Sequence, residues 1–115
     1  MKYRDGLYHK EIRLPKISFR DIEVVLNYSY HAIEAAESDR FGKVELPYSI
    51  NFNRVELVEV EILKGRVNKL VVRKHHDSLN DLVLVVLVDT LKVKTVWLNR
   101  KNDNHRTLDA RKYNK

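Results

Sequence analysis

The stretch Asp81-Leu-Val-Leu-Val-Val-Leu-Val-Asp89 is apolar at every position between its two aspartates. Side chains alternate across a strand, so this pattern is tolerated only when both faces are covered. A turn follows, and then comes a second strand candidate, Lys92-Val-Lys-Thr-Val-Trp-Leu98. Working backwards, His75-His-Asp-Ser-Leu-Asn80 reads as a polar turn. Val67–Lys74 reads as a strand with Leu70 and Val72 inward and Lys69, Val71 and Arg73 outward. Lys64-Gly65-Arg66 is a connection of hairpin length. Before it, Arg54–Leu63 carries Val58, Val60 and Ile62 on one face and Glu59 and Glu61 on the other. Val55 and Leu57 have the opposite parity, which predicts a bulge near Leu57-Val58.

Upstream of these strands the periodicity changes. Ser18-Phe-Arg-Asp21 has the form of a helix N-cap with an acid three residues on, and Gly42 supplies a stop. The spacing predicts a helix from about Phe19 to Asp39. At 100° per residue its buried stripe is Ile22, Val25, Leu26, Ser29, Ala32, Ile33 and Ala36. Arg20, Glu23, Asn27, Glu34 and Glu37 form the polar side, and His31 falls on the border, outside the core. Lys43–Ile50, with Val44, Leu46, Tyr48 and Ile50 at period two, reads as a strand that Pro47 confines to an edge. Residues 7–14 make a short edge-strand candidate that Pro15 ends.

Links this short require antiparallel pairing, since a parallel crossover needs a dozen residues or more. The expected architecture is α+β: one N-terminal helix packed on an antiparallel meander of four to five strands. The second face of Leu82–Val88 then needs its own cover: the C-terminal tail, the N-terminal arm, or a second copy in a homodimer.

At 115 residues the chain is expected to be one domain, 1–115, with 43% hydrophobic residues to build its core. Without cysteine it has neither disulfides nor thiolate chemistry. The N-terminus is charged, and no apolar run approaches the ~20 residues that span a bilayer. A cytoplasmic protein without membrane contact is the expectation. Net charge is +6, unevenly spread. Residues 1–20 and 99–115 each hold six Lys/Arg against two carboxylates, leaving a mildly acidic middle. A basic arm (1–17) and a basic tail (99–115) suit RNA or another polyanion, or an acidic protein partner.

Five histidines raise the question of a metal, but no His pair has the i, i+4 spacing of a helical zinc site, and the expectation is none. Three glycines build neither a phosphate-binding loop nor a dinucleotide fingerprint, so no nucleotide or flavin cofactor is expected. What remains is a metal-free acid–base and phosphate-binding set. His31 and His105 are the acid–base candidates, with Tyr113 and Thr107 as hydroxyl donors. Arg73, Arg100, Lys101, Arg106 and Arg111 are the phosphate candidates. Trp97 reads first as a packing residue and second as a platform for a base.

A helix bearing Ser29-Tyr-His31-Ala32, an antiparallel meander and a late strand ending Thr95-Val-Trp97 together resemble the small RelE-like toxins and the wider barnase–EndoU–colicin–RelE superfamily. The resemblance covers roughly Ser18 to Leu98. It implies metal-independent RNA cleavage, with His31 at the helix histidine and Thr95 at the late-strand threonine. Arg100, Lys101 and His105 match the group's basic C-terminal side. The arginine that the group carries a few residues after the histidine is replaced by Ala35 and Ala36, with Arg40 the nearest substitute. Two functions follow as expectations: an RNA-binding domain with endoribonuclease activity, or a non-catalytic phage or bacterial accessory protein that binds nucleic acid or an acidic partner.

Overall fold

The computed structural model describes residues 4–103. Its strands are β1 (Gly6–His9), β2 (Val24–Val25), β3 (Asn27–Tyr28), β4 (Ser49–Ile50), β5 (Glu56–Leu63), β6 (Arg66–His75), β7 (Asn80–Leu87) and β8 (Lys92–Arg100), with one helix, α1 (Tyr30–Glu37), after β3. The fold is α+β. The main sheet has six strands in the order β1-β5-β6-β7-β8-β3, and β2 pairs with β4 in a small ribbon.

The four-stranded meander β5–β8 forms where local signals place it. Lys64 and Gly65 have φ of 54° and 73°, and two consecutive positive φ values make the two-residue turn whose twist matches the flanking strands. The β5–β6 register shifts between Leu57 and Glu59, which is the predicted bulge. It turns Val58 away from Val60 and Ile62, onto the opposite face.

Two features depart from the expected meander. β3 pairs with β8 in parallel, Asn27 to Lys92 and Tyr28 to Val93, so the sheet is mixed and has six strands rather than four to five. The helix starts at Tyr30 instead of Phe19. The β-branched run before it is drawn into strand pairing, Val24 opposite Ile50 and Val25 opposite Ser49, and tertiary pairing overrides helical periodicity. Ile22, Val25 and Ile33 of the predicted stripe are consequently exposed, whereas Leu26, Ala32 and Ala36 are buried. The first candidate strand, Lys43–Ile50, shrinks to Ser49–Ile50 because the Val44 N–H is spent on Ala36 O and Pro47 has no N–H.

Ser29, not Ser18, caps the helix. Its hydroxyl oxygen accepts from Ala32 N (3.0 Å) and donates to Lys94 O (2.8 Å), while its own N–H reaches Val93 O. The cap therefore also ties the helix start to β8. Ser29→Ala should cost about 1–2 kcal/mol, read as a lower denaturant midpoint with an unchanged slope. An unchanged midpoint would show that the cap is idle.

The inner sheet face, under α1, holds the main core, including Leu70, Val72, Leu84, Val86, Val93 and Val96. The outer face buries Val58, Val71, Val83 and Val85, with Trp97 packed against them. The two-sided apolar character of β7 is thus accounted for within one chain. Of the N-terminal arm, residues 4–17 are described. They supply β1 at the sheet edge, and Leu14 and Ile17 pack on the inner core. Most of the tail lies outside the described residues. Among the described residues no helix is long and apolar enough to cross a membrane.

Candidate nucleic-acid interface

β8 carries the geometry that matters. Its register with β7 shifts between Val85 and Val86, so Lys94 is an extra residue. Val93 therefore joins Val96 and Leu98 on the inner face, whereas unbroken period-two alternation would put it with Thr95 and Trp97. Thr95 pairs with Val85 on the outer side. α1 sits on the other side through Ala32 and Ala36, with His31 exposed in its first turn. His31 and Thr95 are not brought together. His105, Arg106, Arg111, Tyr113 and Thr107 lie outside the described residues.

Arg73, Arg100 and Lys101 do converge on one corner, where β6 ends, β7 begins and β8 ends. Arg73 is 5% exposed and engaged: Nη2 lies 3.1 Å from Asp81 Oδ2 and donates to Arg100 O (2.8 Å), and Nη1 donates to Asp103 O (2.5 Å). It holds the corner together and does not offer its charge to a ligand. Lys101 Nζ lies 2.6 Å from Asp81 Oδ1 and 3.0 Å from His75 Nδ1. Asp81 thus neutralises two of the predicted phosphate contacts.

Arg100 has a different environment. Its carbonyl is pinned by Arg73, Asn99 and the Asp103 N–H, while its guanidinium lies over the Phe41 ring, 4.4 Å from the centroid. Arg40 lies over the same ring at 4.7 Å. Asp39 fixes Phe41 beside β8: Oδ2 accepts from Phe41 N and Oδ1 accepts from Leu98 N, 59 residues away. The helix spans the gap between Ser29 and Asp39. Ten helical steps advance ~15 Å and five strand steps ~16 Å, so a helix that starts at Val93 ends at Leu98. Neither guanidinium forms an ion pair with a carboxylate of the described residues. Contact with a ring face holds a guanidinium in place without neutralising it. Beside the pair, an open cleft of about 450 Å³ runs between the C-terminal end of α1 and β8, with Arg40 and Trp97 in its lining.

A second cleft, of about 490 Å³, is lined by Lys74, His75 and His76, with Glu45 on its wall. His76 Nδ1 lies 3.2 Å from Asp77 Oδ2. The N–H groups of Leu79 and Asn80, with a smaller contribution from His76, hold the Asp77 carboxyl at about 2 against an ordinary 3.8. A depressed acid contributes stability above its unfolded pKa and loses it as pH falls through the folded one. The Leu79 and Asn80 amide resonances should therefore titrate together with a midpoint near pH 2. A midpoint near 4 would mean that these hydrogen bonds are not held in solution.

The sequence pattern named Arg100 and Lys101 as phosphate candidates without pairing Arg100 with Arg40, and read His75-His76 only as a turn. Arg40's one signal was its place as the nearest substitute for a missing arginine. Comparisons with protein-family models, with curated proteins and with solved structures found no match.

Proposed function

We propose that this chain is a single-stranded RNA-binding domain that grips backbone phosphate with Arg40 and Arg100. The observation that carries the proposal is that both guanidiniums lie against the Phe41 ring, at 4.7 and 4.4 Å from its centroid, with no carboxylate partner among the described residues. Guanidinium forks match phosphate oxygens bidentately, and two held in place lose little conformational freedom on binding. The adjoining cleft of about 450 Å³ has room for an unstacked base, which favours a single strand over a duplex. The net charge of +6 adds a sequence-independent attraction to polyanions. The resemblance to RelE-like proteins makes RNA the polyanion of choice. His31 and Thr95 stand on opposite sides of the sheet, so the proposal is of binding, and cleavage is an outcome to be measured.

The test is anisotropy of a labelled single-stranded RNA, and of a duplex of the same sequence, in excess EDTA. Tighter binding of the single strand is expected, with loss of affinity in Arg40→Ala and Arg100→Ala proteins. Equal displacement of the RNA by an acidic peptide would favour an acidic protein partner instead. Shortened RNA would add metal-free cleavage, which His31→Ala and His76→Ala proteins would then locate.

A further inference from the structure

The cleft between α1 and β8 has a floor whose hydrogen bonding the register determines. Lys101 N donates to Leu79 O, and Leu98 N turns away from β7 to the Asp39 carboxylate. In an antiparallel ladder those two facts set the alternation. Thr95, Trp97 and Asn99 exchange hydrogen bonds with Val85, Val83 and Asp81, while Val96 and Leu98 direct their main-chain groups away from β7. β3 reaches only to Val93. Lys94 O is taken by the Ser29 hydroxyl and Leu98 N by Asp39. Between these anchors the N–H and C=O of Val96 have no partner among the described residues, and Val96 is 1% exposed. A buried main-chain donor and acceptor of this kind destabilises the fold unless something supplies their partners.

The rest of the cleft narrows what that partner is. On the helix side, the methyl group of Ala35 neither donates nor accepts, and Ser38 Oγ is committed to Glu34 O. Asp39 is committed to two main-chain N–H groups. Asn99 Nδ2 is spent on two carbonyls, and the polar groups left to a ligand include the Val96 pair, the Leu98 carbonyl, Asn99 Oδ1 and the Arg40 guanidinium.

We infer that the cleft is a nucleobase pocket, in which Val96 N–H and C=O pair with the acceptor and donor on the Watson–Crick edge of one base while Arg40 and Arg100 hold its phosphate. Each base carries a ring nitrogen beside an exocyclic oxygen or amine, so each presents such an edge. The inference rests on the RNA-binding proposal and adds to it the element that recognises a base. Because the contacting groups are main chain, substituting the Val96 side chain does not remove them.

The test is a titration of ¹⁵N-labelled protein with the four 5′-mononucleotides and, separately, with ribose 5-phosphate. All five ligands are expected to shift the Arg40 and Arg100 resonances. Only the nucleotides should shift the Val96 amide. Ala35→Leu, which fills the cleft, should remove the Val96 response and weaken nucleotide binding about tenfold or more, leaving the ribose 5-phosphate response unchanged. A Val96 amide that stays still while Arg40 and Arg100 respond would overturn the base pocket and leave phosphate binding standing. No response at any of the three would overturn both. Should Ala35→Leu fail to fold, the wild-type titration decides alone.

Discussion

If the proposed RNA binding holds, replacing Arg40 and Arg100 together by alanine should lower affinity for single-stranded RNA by about 100-fold at fixed moderate salt. A hydrogen bond to a charged group contributes ~1.5–3 kcal/mol, and each guanidinium supplies at least one such contact. The fold should survive, because both side chains are exposed and reach only the surface of Phe41. Circular dichroism and the denaturant midpoint check this, and a surface substitution of this kind shifts stability by ~0.5 kcal/mol. Asp39→Asn gives a sharper control. It keeps both arginines but weakens the contacts to Phe41 N and Leu98 N that fix Phe41 beside β8, so RNA affinity should fall by less than in the double variant.

Asp81→Ala destabilises the protein by about 3 kcal/mol, the largest effect expected from a single polar substitution here. The Arg73 side chain is 4% exposed and pairs with Asp81 at 3.1 Å, so Asp81→Ala takes a carboxylate partner from a buried guanidinium. Lys101 loses its 2.6 Å contact as well. Converting both members, Arg73→Met with Asp81→Leu, should recover much of the loss, since an apolar pair of similar volume avoids the desolvation that makes a half-pair costly. The urea midpoints of the two variants check it. Equal destabilisation by both would mean that the pair matters for shape and not for charge balance.

The parts of this fold that were legible in sequence are those whose causes are local. Two adjacent residues set the Lys64-Gly65 turn, parity alone exposed the bulge at Val58, and the apolar run Leu82–Val88 announced a strand buried on both faces. The helix start was not legible, since nothing near Val24 indicates that Ile50 waits to pair with it. The bulge at Lys94 was hidden because Lys92-Val-Lys-Thr alternates perfectly well without it, and the extra residue shows only against β7. The arginine pair was hidden for the same reason. Arg40 and Arg100 share the Phe41 ring, which Asp39 fixes beside β8 by accepting from Leu98 N, a contact between residues 59 apart that no spacing rule anticipates. Arg73 shows the converse. Its outward parity was read correctly, but parity does not reveal that Asp81 and two carbonyls already occupy it.

The salt dependence of RNA binding tests the central claim most directly. Log affinity for a short single strand should fall linearly with log salt concentration, with a slope of about −0.7 for each phosphate neutralised. The slope for the Arg40→Ala, Arg100→Ala protein should be shallower by roughly 0.7, the share of the one phosphate that the pair grips. That difference would establish the pair as the phosphate grip. Identical slopes in the two proteins, or no salt-dependent binding in either, would contradict it.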